Sequence, residues 1–247
     1  MAEAARSWWA RAILIGTVVA VVLLLLGPIG TRLGIWGFQT GLLMLIPAGT
    51  LLAAVGLLVG LVALFVSRKR GFTGDGPILL TSVLVCALVV GLMFLQASRG
   101  FSLPQIHNIS TDVNDPPQFD AIVALRGEGT NPLDYDREKL ASVQQQAYPA
   151  VKTLRLETDR ATAVGRVVDA LTAMGLEIVA VDADAGIIEA TATTFWFGFK
   201  DDVVVRVRDD SAGGVKVDAR SVSRVGLSDL GANAARIEAL LGRLRTG

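Results

Sequence analysis

The chain has 247 residues, of which 52% are apolar, and a mean hydropathy of +0.53, which excludes an ordinary soluble protein and allows one domain plus membrane-spanning helices. The net charge of zero combines two opposite halves: residues 1–100 carry seven basic and two acidic side chains, whereas residues 101–247 carry sixteen basic and twenty-one acidic ones. The acidic half argues against nucleic-acid binding, because basic side chains that neutralise phosphates supply most of that affinity.

Three apolar runs, at about 12–29, 41–66 and 77–97, are each near the ~20 residues that a helix needs to cross the hydrocarbon core. No small-x-small cleavage pattern follows the first run, so we predict a spanning helix rather than a signal peptide. The runs contain no charged residue, which argues against an ion or proton path. Gly56 and Gly60 have the G-x-x-x-G spacing of close helix packing, which suits contacts within one chain or between two and so leaves the oligomeric state open.

The distribution of positive charge predicts the orientation of these helices. Arg6 and Arg11 precede the first helix and residues 68–70 follow the second, so both clusters lie on one side of a three-helix chain. Arg32 and Arg99 lie on the other side. We therefore expect a bacterial inner-membrane protein with a cytoplasmic N-terminus and with the chain from about residue 99 onward in the periplasm.

We divide the chain into a three-helix transmembrane region at 1–98, an extended arm at 99–135 and an α+β outer domain at 136–247. Pro, Asn, Asp, Ser and Gly are frequent from Ser98 to Pro132 without a sustained period, which predicts an extended arm rather than helix or sheet. The only histidine, His107, lies in this arm, where a surface or local hydrogen-bonding role is more typical than catalysis.

The outer domain begins with a predicted helix at 136–147 and a predicted strand at 151–156. Thr158 or Asp159 caps a second helix with an apolar stripe at the 3.6-residue period, which Gly175 ends. Ser228 or Asp229 caps the last helix. The apolar stripe of that helix consists of Leu230, Ala234, Ile237, Leu241 and Leu244.

Between these helices the sequence predicts four strands, at 176–181, 187–194, 203–207 and 215–222. In the last two, valines alternate with charged residues, which predicts one buried and one solvated sheet face. The order strand, helix, four antiparallel strands, helix predicts an α+β domain with helices on one face of a curved sheet, as in helix-grip and TATA-binding-protein-like folds. Fold alone does not define a function.

The first candidate site is an aromatic turn, residues 195–199, with Phe195, Trp196, Phe197 and Phe199 around a glycine. Four rings in five residues cannot all point to one side of a strand, so we expect at least one to face solvent, a ligand or the bilayer. One interpretation divides the rings between the core and a neighbouring helix. The other is a hydrophobic ligand or membrane-interface contact, which Trp and Phe favour.

A second candidate site surrounds the end of the last strand and the start of the last helix. Its members are Arg220, Ser221, Ser223, Arg224, Asp229, Asn233 and Arg236. Arginine with Asp and Asn can form a structural brace from strand to helix. Alternatively, arginines beside a helix N-terminus could hold an anionic headgroup or carboxylate. A catalytic serine requires an adjacent base, and the sequence places none beside either serine.

The sequence predicts no metal site and no cofactor. One cysteine, Cys86, and one histidine cannot form an intrachain disulfide or supply the usual zinc ligands. The pairs at 201–202 and 209–210 do not resemble a calcium loop with spaced oxygens. We interpret both pairs as solvated turns or as partners of Arg206 and Arg208.

Several blocks of the sequence carry a family resemblance. The segments IEATATTFWFGFKDDVVVRVR and RSVSRVGLSDLGANAARI resemble two signature blocks of the domain of unknown function 1499 family, and SLPQIHNISTD with DPPQF resembles its N-terminal arm. The resemblance covers about residues 100–245, and the preceding helices are similar to those of membrane-anchored members. It implies that positions 199–202 and 220–233 define the domain, and it implies no activity or cofactor.

The favoured hypothesis is a non-enzymatic envelope protein whose outer domain contacts a lipid, an envelope component or a protein partner. The alternative is an enzyme that acts on an anionic envelope substrate through Arg220, Ser223, Arg224 and Asp229. A purely structural role is the third reading.

Overall fold

The computed structural model describes residues 7–71 and 73–246. The chain divides into two compact units, one of residues 1–100 with 196–198 and one of residues 101–195 with 199–247. Each unit is described by itself.

The first unit consists mainly of three long helices. They are α1 (Trp8–Arg32), α2 (Ile46–Arg70), which a π-helical segment (Gln39–Leu45) precedes, and α3 (Gly76–Ser102). Each is long and apolar enough to cross a membrane, which confirms the three predicted helices. α1 and α3 extend past both ends of their predicted runs, whereas α2 begins within its run and continues past the end of the run to Arg70.

Small residues bring these helices together. A Cβ atom at Gly60 would lie 2.8 Å from Cγ2 of Val83, and one at Gly56 would lie 3.1 Å from Sγ of Cys86. Both glycines of the G-x-x-x-G spacing therefore face α3 of the same chain, where a larger side chain would separate the helices.

A buried carboxylate joins three helix ends. Asp75, fully buried before α3, accepts hydrogen bonds from the Ser7 backbone N–H (2.9 Å), the Ser7 hydroxyl (2.6 Å) and the Ser67 hydroxyl (3.3 Å). A buried charge is costly without such donors. Asp75 therefore ties the start of α1 to the end of α2 and the start of α3.

The second unit is a mixed α+β domain with an antiparallel sheet, as predicted, and the sheet has six strands rather than the predicted five. Its strands are β1 (Asn108–Ser110), β2 (Leu154–Leu156), β3 (Glu177–Asp182), β4 (Ile187–Thr193), β5 (Lys200–Asp209) and β6 (Val215–Ser223). Its helices are α4 (Arg137–Ala147), α5 (Arg160–Ala173) and α6 (Ala232–Thr246). The order is β1-β6-β5-β4-β3, and β2 also pairs with β6, at the other end from β1. The helix-grip and TATA-binding-protein-like assignments stay predictions.

Side-chain N-caps stabilise two of the predicted helix starts. The Asp136 carboxylate accepts from the Lys139 backbone N–H at 3.3 Å, and that of Asp159 accepts from the Thr162 N–H at 2.9 Å. After α5, Gly175 takes a φ of +79°, a left-handed conformation that favours glycine.

The core lies between one sheet face and helices α5 and α6. Valines 203, 205 and 207 of β5 are buried there with Ile237 and Leu241 of α6. The prediction that Leu230 belongs to the α6 stripe is wrong. Leu230 precedes the helix with a φ of +52° and is 61% exposed, because the Asp229 side chain caps the backbone beyond it.

The prediction that the other sheet face is solvated is also wrong. Asp202, Asp218 and Arg220 on that face are fully buried, and Glu189 is 2% exposed. The arm at 99–135 contacts this face and contains β1 and a 3₁₀ helix (Ala121–Leu125), so the expectation of neither helix nor sheet in the arm is corrected. The arm supplies partners for several of these charged residues, including Arg126 for Asp202 and Asp115 for Arg206.

Candidate functional site

The aromatic turn links β4 to β5 on a hydrogen-bonded base. The Thr194 N–H donates to the Phe199 carbonyl at 2.8 Å, and the Phe199 N–H donates to the Thr194 hydroxyl at 2.9 Å. Gly198 has a φ of +69°, which a side chain would strain. Phe195 is 76% and Trp196 61% exposed, whereas Phe197 and Phe199 are half-buried. The turn therefore presents two large aromatic rings on a well-ordered base.

Other apolar side chains lie at the same end of the sheet. The pairing of Asp201 with Ser223 places the start of β5 beside the end of β6, so the loop after β6 leaves the sheet at this end. In that loop Leu227 is 77% and Leu230 61% exposed. We call Phe195, Leu227 and Leu230 the apolar end of the domain. Exposed apolar residues in loops that leave the same end of a sheet are candidates for a contact surface.

A hydrogen-bonded cluster, the serine network, joins β6 to α6 on the helix-covered face. The Ser221 hydroxyl donates to Oδ1 of Asn233 at 2.6 Å, and the Asn233 amide donates to the Ser223 hydroxyl at 2.9 Å. Arg236 donates to the Ser221 hydroxyl at 3.0 Å and to Oδ2 of Asp201 at 2.6 Å. Ser221 thus donates to an amide oxygen rather than to a base, which is the arrangement of a brace and not of a nucleophile.

Asp229 belongs to the start of α6. Its two oxygens accept from the backbone N–H groups of Gly231 (2.8 Å) and Asn233 (2.9 Å). Burial raises the pKa of this carboxyl, and the two backbone hydrogen bonds oppose that rise. Nearby, Nδ1 of His107 lies 3.4 Å from the Leu227 carbonyl, a local contact of the kind expected for this histidine.

Arg224 lies on the opposite sheet face, away from the serine network. Its guanidinium donates to both oxygens of the buried Asp202, at 2.8 to 3.2 Å, and Arg126 of the arm pairs with the same carboxylate. The Thr191 hydroxyl donates to Asp202 at 3.0 Å. Two arginines therefore share one buried carboxylate, and their side chains are mostly covered by the protein.

Arg220 is also buried on this face. Its Nε donates to Oδ1 of Asn108 at 3.1 Å, one terminal nitrogen donates to the Pro117 carbonyl at 3.1 Å, and the other donates to the Leu133 carbonyl. The ring of Tyr135 lies 5.7 Å from its central carbon, within reach of a cation–π contact. Burial lowers the pKa of Arg220 to about 10 and raises that of Tyr135 to about 12.

The second candidate site therefore does not come together as one site. The structure places Ser221, Ser223, Asn233 and Arg236 on one sheet face and Arg220 and Arg224 on the other, as the two-residue period of β6 requires. The guanidinium groups of Arg220, Arg224 and Arg236 are each engaged by protein acceptors. This geometry favours the brace among the two interpretations.

Sequence reasoning missed the residues of the arm and sheet that complete these interactions. They are Asn108, Arg126, Tyr135 and Glu189. Glu189 gave no distinguishing signal, because an acidic residue that alternates with apolar ones in a strand is equally typical of a solvated sheet face. The arm residues offered none, since an aperiodic segment does not indicate what it covers.

Asp209 and Asp210 end β5 and enter its turn, where they bind Arg160 and Arg155, whereas the pair at 201–202 differs from expectation. Asp201 and Asp202 lie within β5 and bind Arg236 and Arg224, so the interpretation as a solvated turn is wrong for this pair. Arg206 and Arg208 instead contact Asp115 and Asp218. Within residues 7–71 and 73–246, no group of three His, Cys, Asp or Glu side chains could hold a metal ion.

Three apolar helices and an antiparallel α+β domain define the class: a folded domain joined to helices that could span a membrane. The chain belongs to the family described as "Protein of unknown function (DUF1499)", whose match covers residues 108–244. This confirms the family resemblance. A comparison with curated proteins finds no match.

Proposed function

We propose that the protein is a membrane-anchored binding module, non-enzymatic, whose outer domain contacts lipid through its apolar end. The observation that carries this proposal is the 76% exposure of Phe195 on a hydrogen-bonded turn, with the neighbouring Trp196 61% exposed. Aromatic side chains favour the interface between headgroups and hydrocarbon, and rigid rings lose little conformational entropy on contact.

The connections of the apolar end support a lipid over a soluble partner. The Asp229 N–H donates to the Ile106 carbonyl at 3.3 Å, and the Ser228 hydroxyl lies 3.5 Å from that of Pro104. Residues 104 and 106 follow α3 almost directly in the sequence. The loop that carries Leu227 and Leu230 is therefore hydrogen-bonded to the segment that directly follows α3 in the sequence.

We place the outer domain in the periplasm of a bacterial cell, with α1 starting in the cytoplasm. Arg11 and the basic residues 68–70 support this orientation, because positive charge is enriched on the cytoplasmic side. Arg6, which contributed to the sequence prediction, lies outside the described residues.

The enzymatic alternative gains no support from the geometry. Arg220 and Arg224 bind groups of the protein itself, and Asp229 caps α6 through both oxygens. Ser223 accepts from the Asn233 amide. An anionic substrate could bind these side chains only if their interactions within the protein broke. These residues therefore support a structural role in the fold better than a catalytic one.

The test uses Trp196 as a depth probe in the full chain. Trp8, Trp9 and Trp36 are replaced by Phe, so that Trp196 is the single tryptophan. The protein is then placed in phosphatidylcholine vesicles that contain lipids brominated near the headgroup end of the acyl chains. We expect bromine to quench Trp196 fluorescence, because Trp196 directly follows Phe195, which the proposal places at the interface.

A matched control moves the probe to the opposite end of the sheet. In the same background Trp196 becomes Phe and Ala183, exposed in the turn between β3 and β4, becomes Trp. Quenching at position 196 but not at 183 supports the proposal. Equal quenching at both positions, or none at 196, would overturn it.

A further inference from the structure

A long apolar groove lies between α1 and α2, within the helical unit. It has a volume of about 450 Å³, in the range of ligand pockets, and its lining includes Trp9, Ile13 and Gly16 of α1 and Val55, Val59 and Val66 of α2. Val55 and Val59 are about half exposed, so the groove is open along its side. At Gly16 an added Cβ would meet no atom within 4 Å, so this part of the groove has room.

A basic side chain, Arg70, follows the groove-lining residues of α2 on the same face of the helix. The lining residues Val59, Val62 and Val66 recur at the helical spacing, and the next position four residues on is Arg70, which is exposed. Arg68 falls on the opposite side of α2, because successive residues rotate by about 100°. Lys69 instead lies over the Phe65 ring, at 4.4 Å from its centroid.

We propose that this groove binds one anionic glycerophospholipid, with an acyl chain along the groove and the headgroup phosphate at Arg70. The groove offers apolar contact over several helical turns, and Arg70 offers a guanidinium with geometry suited to phosphate. Basic residues at the ends of spanning helices attract anionic lipids, and the groove adds a fixed place for the chain.

Charge also favours a lipid over a second copy of this chain. Two copies in one membrane share an orientation, so a dimer through this groove would place both basic segments at 68–70 side by side. Like charges brought together in this way are unfavourable. An anionic headgroup instead neutralises the same residues.

The experiment is native mass spectrometry of the full-length protein from detergent. The protein is incubated with equal amounts of palmitoyl-oleoyl phosphatidylglycerol and palmitoyl-oleoyl phosphatidylcholine, which share their acyl chains and differ in charge. We expect one retained phosphatidylglycerol per chain, in preference to phosphatidylcholine. Arg70→Gln should weaken that retention about fivefold, whereas Arg68→Gln should leave it nearly unchanged.

A second pair of variants tests the groove itself. Gly16→Leu fills the open space, and Gly91→Leu adds the same side chain to an exposed position of α3, where a Cβ would also meet nothing within 4 Å. We expect loss of bound lipid only for Gly16→Leu, with both variants equally helical by circular dichroism. Retention by Gly16→Leu, equal effects of the two arginine variants, or a dimer that Gly16→Leu disrupts would each overturn the proposal.

Discussion

Arg220 shows, at the scale of one residue, how a buried cation can organise a segment without regular structure. Its side chain is fully buried, and its three nitrogens donate to Asn108, Pro117 and Leu133, which lie at separate points of the arm. A guanidinium carries its donors on three separate nitrogens, whereas an ammonium carries all of its donors on one. The lowered pKa of Arg220, about 10, reflects the burial of its charge, which these acceptors offset in part.

We therefore expect Arg220→Lys to destabilise the domain although the charge is kept. A single ammonium cannot reach all three acceptors, so buried carbonyl groups lose their donors at a cost of about 2–4 kcal/mol. Pulse proteolysis of the full chain in urea measures the change in the free energy of unfolding.

Arg155→Lys is the matched control for this substitution. The Arg155 side chain is 70% exposed and contacts Asp210 at 3.2 Å, so we expect a change within about 0.5 kcal/mol. If the two variants lost equal stability, the geometry of the buried guanidinium would not be the cause.

At the scale of elements, the arm is held on the sheet by a second buried charge. The Glu189 carboxylate of β4 accepts from the backbone N–H groups of Asp120 (2.8 Å), Ala121 (3.0 Å) and Ile122 (2.9 Å). These are the first amides of the arm's 3₁₀ helix, which have no partner within that helix. Glu189 thus caps, from the sheet, a helix that is distant in sequence.

We expect Glu189→Gln to loosen this short helix while the rest of the domain stays folded. Glutamine keeps one acceptor oxygen and turns the other position into a donor, which faces a backbone N–H. Loss of charge-assisted hydrogen bonds should accelerate amide exchange at residues 120–122 about tenfold or more. Hydrogen exchange of the full chain, read by mass spectrometry, checks this.

Glu177→Gln provides the comparison, because Glu177 is an exposed residue at the start of β3. In Glu177→Gln, amide exchange of the arm residues should match that of the unsubstituted protein. Slow exchange at residues 120–122 in Glu189→Gln would show that the arm is held mainly by other contacts, such as those of Arg220.

Sequence patterns were sufficient for the elements that are stabilised locally. Asp159 caps α5 as predicted, α4 begins at its predicted place with Asp136 as the cap, and the valine period of β5 and β6 identified the helix-covered face. The other face was mispredicted, because a charged residue in a strand has the same period whether water or a distant arm satisfies it. Long-range partners such as Asn108 for Arg220 leave no periodic signal in the sequence.

The same limit applies to the candidate sites. The exposure of at least one ring of the aromatic turn followed from strand geometry, and Phe195 and Trp196 are the exposed rings. The second candidate site was predicted because its residues are close in the sequence, and closeness in sequence does not show which sheet face each side chain occupies. Arg220 and Arg224 therefore fall on the opposite face from Ser221 and Ser223.

At the scale of the whole molecule, the proposed orientation makes a prediction that is independent of any ligand. Arg11 near the start of α1 and residues 68–70 in the last turn of α2 lie on the same side of a chain with three spans, and such basic clusters are retained in the cytoplasm. An odd number of spans then places the second unit on the other side. Alkaline phosphatase, which requires an oxidising compartment, should be active when fused after Gly247 in a bacterial host.

Fusion after Gly71, between α2 and α3, should give the opposite result, with an inactive phosphatase and an active cytoplasmic reporter. Replacement of residues 68–70 by Gln should then reduce this asymmetry, because the positive charge that retains the connection would be smaller. An inactive phosphatase after Gly247 together with an active one after Gly71 would reverse the orientation. It would also move the apolar end of the domain to the cytoplasmic leaflet, where the tryptophan quenching test applies unchanged.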